Sequence, residues 1–129
     1  MRAAYVDSSC VLAVLFEESG FQSLRSKLES FDDLFSSNLL EAEVRAAVKR
    51  EDPAARPDEI LAWISWVHPD RPLTPEFHEV MKTGYLRGAD LWHVASALFL
   101  RKTAGALGFL SLDRRQLEIS EKLGLRHPT

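Results

Sequence analysis

Apolar and polar positions alternate along this chain in short blocks, and the blocks change period. Arg2–Val6 is a short apolar run rich in β-compatible residues and stopped by Asp7-Ser8-Ser9, which reads as a buried strand. Val11–Phe16 continues apolar and predicts a helix capped by Ser8 or Ser9. Phe21, Leu24, Leu28 and Phe31 fall at helical spacing, so a second helix is expected over 21–31. Leu34-Phe35-Ser36 reads as the next strand, and a strong helix follows from Leu39 to about Arg50. Asp52-Pro53 and Arg56-Pro57 break the chain, after which Asp58–Val67 reads as helical with Trp63 and Val67 on one side. Pro69, Pro72 and Pro75 stiffen a linker into a helix from about Glu76 to Leu86. Gly88 precedes a helix over Asp90–Lys102, Leu107–Leu112 is an apolar strand, and Arg114–Leu123 is a helix stopped by Gly124. Leu125–His127 is expected to add a short final strand.

Strands separated by helices predict an α/β fold with a mainly parallel sheet and helices on both faces, a three-layer arrangement. In such sheets ligands gather at the carboxyl ends of the strands. Asp7 and Asp113 each directly follow an apolar strand.

A length of 129 residues fits one domain, 1–129, with a core of its own. The composition, 46% hydrophobic and 27% charged, is that of an ordinary globular protein. No apolar run is long enough for a membrane span and the N-terminus lacks a signal-peptide pattern, so a cytoplasmic protein is expected. Cys10 is the only cysteine, which excludes a disulfide framework and any multi-cysteine zinc site. The net charge of −3 argues weakly against a nucleic-acid partner. Placing four of the 19 acids in a metal site leaves 15 against 16 Lys and Arg. The remaining surface is then near neutral, and charge alone decides nothing.

Four acids carry the candidate chemistry. In the helix over 39–50, Leu40, Val44 and Ala47 form an apolar stripe, and Glu43 lies on it. Glu41 has an ordinary explanation, since it follows Asn38 at capping-box spacing and precedes Arg45 by four residues. Glu43 has none, and a carboxylate on a core-facing stripe is costly unless paired or coordinated. Asp90 and Asp113 each read alone as a helix N-cap, and Asp7 as a turn residue. Their case is joint: all four stand where they can converge on one cleft. Clustered carboxylates repel one another and call for a cation. An oxygen-only donor set favours Mg²⁺ or Mn²⁺ over zinc or copper, and such an ion suits phosphodiester hydrolysis.

These segments resemble the PIN-domain family, and in particular its VapC-type toxins, over essentially the whole chain. Tyr5-Val6-Asp7-Ser8-Ser9 is similar to the family's opening strand with its metal-binding Asp and Ser/Thr pair. The segment Ser36–Ala46 is similar to the one carrying the family's Glu, which falls on Glu43. Leu86–Leu98 resembles its most recognisable stretch, with Asp90 as ligand, and Phe109–Arg115 its last site strand, with Asp113 as the fourth acid. Trp92 stands where the family more often has a smaller apolar residue, a packing or interface change.

The resemblance implies a PIN-like α/β/α fold and a homodimeric, Mg²⁺- or Mn²⁺-dependent endoribonuclease, inhibited by a cognate VapB-type antitoxin whose tail lies in the active-site groove. It implies that Asp7 and Asp90 hold the main ion while Asp113 and Glu43 complete the cluster, directly or through waters. Ser9 then positions the Asp7 loop or a water, and Arg45, Lys49, Arg114 and Arg115 are candidates for contact with the RNA backbone.

The other polar residues carry ordinary readings. His93 has no second histidine or cysteine at ligand spacing and is assigned a structural role. Cys10 is assigned to packing. Leu61, Trp63, Trp66 and Val67 form an aromatic-rich stretch, core by default, with any exposed part a candidate dimer or antitoxin surface. His68, His78 and His127 support no proposal.

Two competing functions remain open. One is an inactive PIN-like module that titrates an antitoxin or scaffolds a complex. The other is an aspartyl-phosphate domain, disfavoured because Asp7 lacks the Asp-x-Asp pattern and Asp90 opens a helix. A dinucleotide-binding fold is disfavoured by the missing glycine fingerprint.

Overall fold

The computed structural model describes residues 2–126. Four parallel strands, β1 (Ala3–Val6), β2 (Asp33–Ser37), β3 (Ile64–Val67) and β4 (Gly108–Leu110), form one sheet in the order β3-β2-β1-β4. The register sets Ala4 beside Leu34 and Gly108, and Leu34 beside Ile64. Strand alternation divides the interior in two. Ala4 and Val6 of β1 join a core with Val11, Leu40 and Val44, on the face covered by α1 (Ser8–Leu15), α2 (Phe21–Glu29) and α3 (Asn38–Glu51). Tyr5 points the other way, with Phe109, into a core of Val80, Val94, Leu98 and Ile119. That face is covered by α5 (Thr74–Thr83), α6 (Gly88–Ala104) and α7 (Arg114–Lys122). The expected helix–sheet–helix layering is therefore present.

Several boundaries differ from the sequence expectation. The helix expected over 58–67 is one turn, α4 (Asp58–Leu61), followed by strand β3. Trp63 and Val67 suggested a helical face, but Ile64, Trp66 and Val67 are β-branched or aromatic and supply the fourth strand against β2. Long-range pairing along Leu34–Ser37 outweighs the local period. Trp63 and Trp66 are partly buried against the first core.

The first helix starts earlier than expected, and its cap is Asp7, whose carboxylate accepts the Ser9 N–H at 3.1 Å. Helix α5 ends at Thr83, short of Leu86, and α6 begins at Gly88, two residues before Asp90. At the C-terminus an isolated parallel bridge pairs Arg126 with Gly108 of β4, in place of the strand expected over 125–127, of which His127 lies outside the described residues. Gly124 ends α7 in the left-handed region, φ 85°, as a C-terminal stop requires. No helix among the described residues is long and apolar enough to cross a membrane.

Candidate active site

Two of the four acids, Asp7 and Asp113, stand at the carboxyl ends of strands, and Asp90 stands near the start of α6. Asp7 follows β1 and caps α1, and Asp113 follows β4 and caps α7 through a 3.0 Å bond from the Gln116 N–H. Asp90 stands three residues into α6, whose N-cap is Arg87, so the N-cap explanation for Asp90 falls away. Asp90 and Asp113 line one cleft of about 290 Å³ with Tyr85, Leu86, Arg87 and Arg115.

Asp7 is 4% exposed, and its carboxylate is bonded to two serine hydroxyls and a backbone N–H. Ser9 Oγ–H donates to Oδ1 at 2.6 Å, and Ser111 Oγ stands 2.6 Å from Oδ2. Burial raises the Asp7 pKa, and the bonds from Ser111 and Ser9 offset that only in part. The Ser9 hydroxyl also accepts the Leu112 N–H at 2.9 Å, so it pins the Asp7 loop to the end of β4.

Gln116 stands three residues after Asp113, at capping-box spacing. It is wholly buried, and its side chain ties the acids together. Its Nε2 donates to Asp90 Oδ1 at 3.2 Å and to the Asp90 carbonyl at 3.3 Å, while its Oε1 lies 2.8 Å from Ser111 Oγ, itself beside Asp7. The sequence signal was available in form, an amide at the buried position of α7, but its Asp90 partner is 26 residues away. Burial raises the Asp90 pKa first, then the negative charge of Asp113, with Glu43 acting in the same sense. No Lys or Arg among the described residues forms an ion pair with Asp7, Asp90 or Asp113.

Glu43 lies on the stripe as expected, between buried Leu40 and Val44, with its side chain 30% exposed. Its partner is His93, whose Nε2 stands 2.7 Å from Glu43 Oε1. Glu41 has the ordinary role foreseen for it, bonded to Asn38 at 2.9 Å and to Arg45 at 2.8 Å. The backbone cap of α3 is Ser37, however, so the Asn38–Glu41 contact is a side-chain pair and not a capping box.

Of the basic candidates, only Arg115 lines the acid cleft. Arg45 leaves the opposite side of α3 from Glu43 and pairs with Glu41 and Asp58. Lys49 and Arg114 are exposed. Arg87, not singled out from the sequence, lines the cleft beside Arg115. On the other flank, Trp92 donates its Nε1–H to Ser37 Oγ at 3.0 Å and lines a groove of about 700 Å³ with Asn38, Leu39, His68 and Ala89. Cys10 is buried, and burial pushes its thiol pKa up, in keeping with packing.

In donor type and charge these acids suit a hard divalent cation: oxygen ligands only, with negative charge that the protein leaves unpaired. In placement the fit is incomplete. Among the described residues, no three acids or histidines stand close enough to hold one ion as they are oriented.

A parallel sheet sandwiched by helices, with acids gathered at the carboxyl ends of its strands, defines a class of acid-site α/β domains. The sequence matches the PIN domain model over residues 4–122, and the chain belongs to that family. PIN domains are generally metal-dependent nucleases, so the fold is of nuclease type. No curated protein sequence matches the chain.

Proposed function

We propose that this chain is a single-domain, Mg²⁺- or Mn²⁺-dependent endoribonuclease of the VapC toxin type, cleaving RNA at a site built from Asp7, Glu43, Asp90 and Asp113. The observation that carries the reading is the state of the acids. A buried Asp7 bonded only to serine hydroxyls and a backbone N–H, and an Asp90 on which burial and the charge of Asp113 outweigh His93 and Arg87, are both costly to keep charged without a cation.

Asp7, Asp90 and Asp113 are the residues that would hold the ion. When bound, a divalent cation lowers the pKa of water and stabilises negative charge on a phosphate. The protein's own part is positional. Ser9 and Ser111 fix the two oxygens of Asp7, and Gln116 orients Asp90 against the Asp113 cap. Glu43 presents a carboxylate at the edge of the cluster, able to accept a proton from an attacking water. Arg87 and Arg115 flank the acid cleft, where a phosphodiester would need positive charge. A cytoplasmic homodimer controlled by a VapB-type antitoxin completes the reading, supported by the order and spacing of the family motifs.

One observation favours a second reading, an inactive module that titrates an antitoxin: the acids do not converge on one point as they stand. The two readings separate in an RNA-cleavage assay on purified, antitoxin-free protein, with Mn²⁺ or chelator, beside Asp90→Asn. The nuclease reading expects cleavage only with metal and only in the wild type. Cleavage retained in a clean Asp90→Asn preparation contradicts the site assignment, and folded protein that binds Mn²⁺ but cleaves no RNA in a broad panel favours the inactive module.

A further inference from the structure

His93 is 1% exposed on α6, one turn beyond Asp90, and its two ring nitrogens are engaged in opposite directions. Nε2 lies 2.7 Å from Glu43 Oε1, and Nδ1 lies 2.8 Å from the Tyr5 hydroxyl. Tyr5 is wholly buried and stacked on Phe109 at 5.6 Å with the rings nearly parallel. Its hydroxyl also accepts the Ser37 N–H at 3.2 Å. A continuous path therefore leads from the β2 backbone through β1 and α6 to a carboxylate on α3. Every group on it is buried except the last.

The chemistry of the groups fixes the direction of the path. An ionised carboxylate only accepts, so the His93 Nε2 facing Glu43 carries a proton. In the neutral imidazole Nδ1 then accepts, and the Tyr5 O–H supplies the donor. Burial raises the Tyr5 pKa to about 12, so the phenol keeps that proton at neutral pH. One oxygen of Glu43 is thereby committed to His93, and Oε2 makes no hydrogen bond among the described residues. A glutamate on a helix surface ordinarily samples many rotamers. This one is tied at one oxygen and open at the other, and a packing histidine needs no such contact with a half-buried acid.

We infer that His93 is a positioning residue: braced by Tyr5, its imidazole holds Glu43 by Oε1 and leaves Oε2 as the oxygen that acts in the acid site. The inference rests on the metal-dependent nuclease reading above, and it goes beyond the packing role that the sequence alone assigned to His93.

Two near-isosteric variants separate positioning from packing. In His93→Asn the Oδ1 sits near the Nδ1 position and accepts from Tyr5, but nothing reaches Glu43. In His93→Gln the terminal amide reaches toward Glu43 and donates. Each is measured by the Mn²⁺ concentration at half of the thermal-midpoint rise, and by kcat and KM on a mixed-sequence, fluorophore-labelled RNA oligonucleotide. His93→Asn is expected to raise the Mn²⁺ half-point or lower kcat by about 10-fold or more, with KM within about twofold of wild type, and His93→Gln to recover most of the loss. Tyr5→Phe, which keeps the ring, is expected to fall between. His93→Asn matching wild type in both measurements overturns the inference while leaving the nuclease reading intact. So do losses in Asn and Gln variants that simply track their thermal midpoints. A wild type with neither Mn²⁺ response nor cleavage overturns the nuclease reading itself, and this inference with it.

Discussion

Asp7 and Glu76 are both buried acids, 4% and 1% exposed, yet the protein treats them in opposite ways. Glu76, in the first turn of α5, meets two cations: Arg71 grips both its oxygens at 2.9 and 2.7 Å, and Lys102 of α6 reaches one at 2.8 Å. Those bonds, from Arg71 first, pull its pKa down to about 2. Asp7 meets two serine hydroxyls and a backbone N–H, and its pKa is pushed up. A buried acid with matched cations fastens an element, here the Pro-rich linker to the α5–α6 layer. A buried acid left without one keeps a charge that some other cation can complete. The contrast sets a carboxylate held by two cations apart from the one proposed to hold a metal ion.

The largest effect expected from breaking this contrast is on activity. Asp7→Asn keeps the cap on α1, since Asn caps nearly as well as Asp, and removes the charge. RNA cleavage in Mn²⁺ should fall by about 10²–10³-fold or more, while the metal-free protein stays as stable as wild type or becomes more so. A loss of metal-free stability would place Asp7 among the structural acids.

Next in size is Glu76→Gln, expected to lower unfolding free energy by about 2–3 kcal/mol at neutral pH, with the Mn²⁺ response unchanged. Urea denaturation measures it. The pH dependence follows from the sign of the shift. A carboxyl whose folded pKa is depressed contributes fully above its ordinary value and loses that contribution as pH falls toward the folded one. Wild-type stability should therefore drop between about pH 4.5 and pH 2 by more than that of Glu76→Gln. Parallel acid profiles for the two proteins would contradict the ion-pair account.

Gln116→Met sharpens the functional side of the comparison. It keeps the volume and the Asp113 cap, which uses a backbone N–H, and deletes the bonds to Asp90 and Ser111. A roughly tenfold fall in kcat is expected, with secondary structure by circular dichroism unchanged. The smallest effect is assigned to Arg45→Ala. Its pairs with Glu41 and Asp58 are solvent-exposed, so its thermal midpoint and its KM for RNA should match wild type within error.

How much of this was legible in the sequence depended on range. Strands β1 and β4, helices α3, α6 and α7, and the layering were readable because each has a local period and local stops. Strand β3 was not, since four residues, three of them β-branched or aromatic, pair with β2 some 30 positions earlier, and Trp63 with Val67 mimics a helical face. The four acids were legible as positions at two strand ends, at a helix start and on a stripe. Their supports were not: Gln116, Ser111 and His93 take partners 26, 104 and 50 residues away. Glu76 looked like any first-turn acid on a helix. Only the placement of Arg71 and Lys102 reveals it as the buried counterpart to Asp7.

The central claim, that the acids at the sheet end form a divalent-cation site, is tested most directly by thermal unfolding of the purified protein in chelator and then in rising Mn²⁺, beside Asp7→Asn and Glu76→Gln. At ten times the dissociation constant, binding should add about 1.4 kcal/mol, a rise of roughly 3–6 °C for a domain of this size. The account predicts a saturable rise in wild type and in Glu76→Gln, the latter from a lower starting midpoint, and none in Asp7→Asn. A flat wild-type response, or an equal rise in Asp7→Asn, would contradict it.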